Sequence, residues 1–255
     1  MSQPVSKSEQ LSRVRELRGR GLSAKQIARE LGLKPVEVAP LVRQVAGSHR
    51  AVTERALPEP GERDLVGCWI NPGWSAGLGL DNVPDWAAAD PEGVDDAPTG
   101  GLVGVMVARA DRSSRVTVCG YLVDVYCLGV KNTTGPRTMS SSAVVDHTRR
   151  YFSAFGGAQR SISLEVAQHL VHGAVAYARS FGFDPHPEFA DTAPYLGVPS
   201  GPCPIRFGRD GQPFYIAGPD DNPRAVINAL EATAGPGNYH YIAPLAAPPG
   251  SGPWT

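Results

Sequence analysis

No two cysteines in this chain of 255 residues stand at C-x-x-C spacing. The four, Cys68, Cys119, Cys127 and Cys203, are scattered, so a zinc ribbon is unsupported. No window approaches about 18 continuous apolar residues, and no membrane span is expected. The polar N-terminus lacks the apolar stretch of roughly 7–15 residues that an export signal requires. The expectation is a cytoplasmic protein with reduced thiols. Several short signatures are also missing: Walker A, H-E-x-x-H and the dinucleotide fingerprint. Gly73, Gly77 and Gly79 come near a glycine-rich loop without its spacing. There is no internal repeat.

What is present is turn-forming residues and an uneven charge. With 29 glycines and 24 prolines, much of the chain must be loop, and long helices should be few. At 42% apolar it can still bury a proper core. The formal net charge of −1 hides an asymmetry. Residues 1–55 hold 11 Lys/Arg against 5 Asp/Glu, a net of +6, which leaves −7 for the rest. A basic head on an acidic body suggests that the head alone meets a polyanion; the alternative is a solvated basic helix face.

The patterning predicts an α+β chain: a small tri-helical domain over 8–47, a linker over 48–64, an antiparallel-sheet α+β domain over 65–245 and a flexible tail over 246–255. In the first fifty residues Leu11, Val14 and Leu17 mark one helix, ended by Gly21. A second starts at Ser23 and runs through Ile27, Ala28 and Leu31 to Gly32. A third starts near Lys34, with Pro35 at its favoured first position. In the larger domain, 81–100 holds six acids and no base and reads as an exposed acidic loop. LVGVMVARA (102–110) and VTVCGYLVDVYCLGV (116–130) read as a central hairpin, with a third strand or a bulge after Gly120. Ser163 caps a helix whose stripe is Ala167, Leu170, Val171, Ala174, Ala178 and Phe181. IRFGRDGQPFYIAG reads as a second hairpin turning at Asp210-Gly211. A short helix follows over 223–233.

Helix pairs that cross closely need a small residue at the contact and a left-handed residue at the turn; Ala28 and Gly32 meet both needs. The stretch GLSAKQIARELGLKPVEVAPLVRQ resembles the helix-turn-helix family. The resemblance implies DNA binding, with the second helix braced on phosphates and the third in the major groove. The contacting residues expected are Lys25, Lys34, Glu37, Arg43 and Gln44. Such units also serve as protein-interaction modules. Pro40 lies inside the third helix and predicts a kink, hence weak base readout unless a homodimer or a partner adds contacts.

In the larger domain Asp124 interrupts an apolar strand. A carboxylate there must face solvent, pair with a cation, bind a metal or carry a raised pKa. Lys131 falls on the opposite face by period-two counting. Asp184-Pro-His186-Pro-Glu188 is a stiffened loop that could ligate a metal or supply a base, or be a rigid turn. Asp124, Asp184 and His186 are the catalytic candidates, and docking of the 163–181 helix on the hairpin would bring Asp124 and the 184–188 loop to one pocket. Asp220 beside Asp221 reads first as the approach to an N-cap at Asn222; Asp220 and His186 are weak metal candidates. Glu165, His169 and His172 have zinc spacing but read first as a solvated polar face. No cofactor is indicated. The segments GYLVDVYCLGVKNT (120–133), AVAYARSFGFDPHPEF (174–189) and FGRDGQPFYIAGPDDNP (207–223) together resemble an uncharacterised bacterial domain. That domain sometimes carries a C-terminal SecA-type zinc motif, which is absent here because no cysteine follows Cys203. The resemblance implies a defined domain and no particular reaction. The function expected is a DNA-binding transcriptional regulator whose larger domain senses a ligand or drives association. The alternatives are a metal-assisted enzyme acting on nucleic acid and a protein-interaction adaptor.

Overall fold

The computed structural model describes residues 7–19, 22, 24–34, 36–42, 58–94, 100–112 and 114–244. The chain divides into two compact units, Met1–Leu57 and Pro58–Thr255. The main fold of the second is a mixed α+β arrangement around an antiparallel sheet. Among the described residues no helix is long and apolar enough to cross a membrane.

In the first unit α1 spans Lys7–Gly19 and α2 spans Ala24–Glu30, and the backbone is helical again over 36–42, here α3. Val14, Leu17, Ile27, Ala28, Val38 and Leu41 close one small core, with Leu11, Leu31 and Leu33 packed against it. Gly32, at φ +63°, turns the chain between α2 and α3 in the left-handed region that a side chain would strain.

The second unit is built on one five-stranded sheet. Its strands are β1 (Leu65–Ile70), β3 (Leu102–Ala110), β4 (Arg115–Asp124), β5 (Gly129–Ser140) and β6 (Arg160–Ser161), in the order β5-β4-β3-β1-β6. Every pairing in it is antiparallel. β3 and β4 lie inside the sheet and both their faces are covered, which is why they read as continuous apolar runs rather than alternating ones. Val103, Val105 and Val107 with Cys119, Tyr121 and Val123 face α6 (Leu164–Arg179) and α7 (Phe189–Leu196). Met106, Ala108, Val116 and Val118 face α5 (Ser141–Phe152) through Val144 and Phe152. The result is three layers, helix on sheet on helices. Outside them β2 (Gly79–Leu80) pairs with β7 (Ile205–Arg206), and β8 (Phe214–Ile216) runs parallel to β9 (His240–Ile242) beside α8 (Pro223–Thr233).

Local chemistry sets the helix starts. The Ser163 hydroxyl accepts the Val166 N–H at 3.3 Å to open α6, and the Asn222 side chain accepts the Ala225 N–H at 3.2 Å ahead of Pro223 to open α8.

Four expectations change. The second unit begins at Pro58, so 58–64 is packed chain and not linker: the buried Arg109 guanidinium donates to the Arg63 carbonyl (2.9 Å) and to the Tyr195 carbonyl (2.9 Å) at the end of α7. The rest of the expected linker, 48–57, and the expected tail, 246–255, lie outside the described residues. The acidic stretch is not a plain exposed loop. It forms α4 (Pro84–Ala88), and Trp86 packs on the core. Asp90 is 1% exposed, and its carboxylate accepts the Gly73 N–H (2.7 Å), the Ser75 N–H (2.9 Å) and the Ser75 hydroxyl (2.8 Å). The 205–216 hairpin keeps its turn, with Asp210 at φ +54°, Gly211 at φ +83° and a bridge between Arg209 and Gln212. Its arms then part, because Ile205 and Phe207 belong to the core under the sheet while Tyr215 belongs to the core under α8. Lastly, His169 is 2% exposed, not solvated: Trp86 lies over it at 6.0 Å between ring centroids.

Asp90 supplies a direct test of the 73–94 packing. Asp90→Ala leaves two buried N–H groups unanswered, which should cost about 2–4 kcal/mol of unfolding free energy in urea. A loss below about 0.5 kcal/mol would show that the 73–94 segment is not closed as described.

Candidate functional site

The polar residues that the sequence singled out fall in separate places. Asp124 ends β4 and does not interrupt a strand. Its carboxylate oxygen Oδ1 accepts the backbone N–H of Tyr126 and of Cys127, each at 3.0 Å. This is the short-range side-chain-to-backbone bonding that makes Asp a turn former. The strand therefore breaks after Asp124 and the expected third strand begins at Gly129; the register shift between Val118 and Gly120 precedes Gly120 and is not the bulge expected after it.

A second register shift places Lys131 where period-two counting fails. Leu122 pairs with Asn132 and Val123 with Val130, so Lys131 is the extra residue of a bulge. Its ammonium lies 2.8 Å from the Asp221 carboxylate, and the field of that ammonium reaches Asp124. The supposed lack of a cationic partner for Asp124 is thus corrected by the bulge. Asp221 also accepts the Gly218 N–H at 2.8 Å. Burial pushes the Asp221 carboxyl up, but Lys131 and the Gly218 N–H outweigh it and hold it below its ordinary value.

At 5% exposure Asp124 shows the opposite balance. Burial raises its carboxyl from the ordinary 3.8 to about 6, against the opposing amides of Tyr126 and Cys127 and the Lys131 charge. Two phenols stand in the same field. The Tyr177 and Tyr215 hydroxyls are buried, and burial first, then Cys127 and Asp124 for Tyr177 and Asp221 for Tyr215, pushes both upward, Tyr215 to about 12. Sequence reading placed both tyrosines among apolar neighbours and gave no hint of a polar role. Chemically the cluster holds a turn: each charged member is met by an amide or by an opposite charge from nearby chain.

Asp184 is exposed and pairs with Arg179 at 3.3 Å. His186 donates its backbone N–H to the Val130 carbonyl at 2.8 Å, and its ring Nδ1 accepts the Glu188 N–H at 3.3 Å. The loop thus docks its backbone against the start of β5, but Asp124, Asp184 and His186 share no hydrogen bond. Asp220 is exposed. His172 Nε2 meets the Gly197 carbonyl at 2.7 Å, and Glu165 is exposed, so the helical zinc spacing is not assembled. Among the described residues no three His, Cys, Asp or Glu side chains gather to hold a metal. The shared pocket expected for Asp124 and the 184–188 loop is replaced by separate, internally satisfied groups.

In the first unit Lys25, Lys34 and Glu37 are exposed, and the Glu37 carboxylate accepts the Lys34 N–H at 2.8 Å, three residues back across the start of α3. That is the reciprocal half of a capping box. Arg43 and Gln44 lie outside the described residues.

No family model, no curated protein and no solved structure matches the chain.

Asp124 yields a pH prediction with a definite sign. Its folded-state pKa is raised, so the folded state holds the proton more tightly than the unfolded chain. The stability linked to that proton is full below about pH 4 and is lost as pH rises through about 6. Asp124→Asn keeps an acceptor oxygen for both amides and should remove this pH-linked loss, leaving urea stability flatter between about pH 4 and 7 than in the wild type. Asp124→Ala leaves both amides unanswered and should cost about 2–4 kcal/mol below about pH 4, and less as pH rises through about 6. An Asn variant as pH-dependent as the wild type over that window would show that Asp124 faces water.

Proposed function

We propose that the first unit is a helix-turn-helix module that binds duplex DNA, and that the chain is a transcription regulator whose second unit senses a ligand or drives association. One observation carries the reading: α2 and α3 close on each other through Ile27, Ala28, Val38 and Leu41 across the left-handed turn at Gly32, while Lys25 and Lys34 stay at the surface. Ala28, 2% exposed, is the small residue that lets two helices meet closely. The net +6 of residues 1–55 supports a polyanionic partner.

Glu37 is a cap in this reading, not a reader of cytosine, because its carboxylate is engaged at its own helix start. Pro40 stands exposed inside α3 and removes one helical N–H. Base readout is accordingly weak, phosphate contact dominates, and a homodimer would supply the missing contacts.

Fluorescence anisotropy of the full chain with labelled duplex across a salt series tests this. Affinity should fall steeply with salt. Lys25→Glu with Lys34→Glu should weaken binding and lower the log–log salt slope by about 2. Salt-independent affinity, or a slope unchanged in the double variant, would reject the reading.

A further inference from the structure

The outer face of the sheet carries a groove that none of the residues above uses. It is a cavity of about 200 Å3 between the edge strand β5 and the far end of α5. Its floor is Gly120 and Leu122 of β4, facing Thr134 and Asn132 of β5 across the ladder. Its wall is aromatic: Tyr151 and Phe155, with ring centroids 6.3 Å apart. Tyr151 is fixed there because its hydroxyl donates to the Tyr121 carbonyl at 2.8 Å. Gly120 is what keeps the floor open, since a Cβ would come within 2.6 Å of the Thr134 hydroxyl and 2.7 Å of the Tyr151 ring.

The same face turns positive further along. Arg137 pairs opposite Val118, whose side chain packs with Val144 and Phe152 of α5, so Arg137 projects on the α5 side. His147 stands one helical turn before Tyr151. Burial first, and then Arg137 and Arg150, hold its imidazole below the ordinary 6.5. Arg149 is paired with Asp146 at 2.9 Å. Arg137 and Arg150 form no ion pair among the described residues. Two unpaired guanidinium groups are thus carried by β5 and α5, the elements that also supply Asn132, Thr134 and Tyr151 to a groove with an aromatic wall and a polar rim, on a unit whose overall charge is negative.

We propose that this groove binds a nucleotide, with the base against Tyr151 and Phe155 and the phosphate at Arg137 and Arg150. The volume is below the roughly 300–1,000 Å3 of a drug-sized pocket and suits one planar ring. Aromatic side chains stack any base, Asn132 and Thr134 offer donors and acceptors to a ring edge, and guanidinium matches phosphate geometry. The inference stands without the DNA-binding reading of the first unit. The nucleotide has two sources, a free mononucleotide or an unpaired residue of a single strand.

Equilibrium dialysis of the full chain against the four ribonucleoside monophosphates, and separately against a short single-stranded oligonucleotide, decides it. The account predicts measurable binding of at least one monophosphate, undisturbed by equimolar inorganic phosphate. Arg137→Ala with Arg150→Ala should weaken it by at least about tenfold, and Ala154→Trp, which fills the groove from an exposed position, should abolish it. Lys25→Glu with Lys34→Glu should leave monophosphate binding unchanged. An oligonucleotide that binds far more tightly than every monophosphate, with the same loss in both groove variants, identifies the strand as the source; comparable affinities identify the free nucleotide. Absence of binding by all these probes at low-millimolar concentration, or binding undiminished in the double arginine variant, overturns the proposal.

Discussion

The second unit is tied together at one turn, residues 125–130, and the turn exists because Asp124 needs its amides. A buried carboxylate must be met, and the N–H groups of Tyr126 and Cys127 meet it only if the chain leaves the strand there. Once turned, the backbone offers its own groups outward. The Val125 carbonyl accepts the Gly208 N–H, the Tyr126 carbonyl the Phe214 N–H, and the Val130 carbonyl the His186 N–H. Three segments distant in sequence are thereby fastened to one place. The bulge at Lys131 adds a fourth tie, through Asp221 to the loop before α8. A single strand end thus positions β8, α8 and the approach to α7.

That dependence explains how much was legible beforehand. β3 and β4 were readable because burial on both faces selects unbroken Val, Leu and Tyr. α6 and α8 were readable because Ser163, Asn222 and Pro223 are local signals that need no tertiary partner. The end of β4 was not, since Val125, Tyr126 and Cys127 look like strand and the turn is made by a side-chain bond instead of by glycine. The parting of the 205–216 arms was not legible either: each arm alternates properly, and only the presence of two separate cores sends them apart. Asp90 and His169 depart from expectation for one reason: polar residues are expected at the surface, whereas backbone amides meet one and Trp86 covers the other.

A catalytic grouping of Asp124, Asp184 and His186 rested on Asp124 needing a partner and on a stiffened 184–188 loop docking near it, and each of the three has a partner nearby: turn amides, Arg179 and the Glu188 N–H. Positions with capacity to spare are elsewhere. They are the unpaired Arg137 and Arg150 and, in the proposed DNA-binding unit, exposed Lys25 and Lys34. Opposite-sign totals in the two parts of the chain fit a division in which the first unit meets the polyanion and the second holds a stable sheet.

Hydrogen–deuterium exchange of the full chain, with and without duplex DNA, tests that division most directly. The account predicts slower exchange over residues 24–42 when duplex is present, with residues 102–124 already slow and unchanged. Protection gained within 102–244 while 24–42 exchanges as before would contradict it.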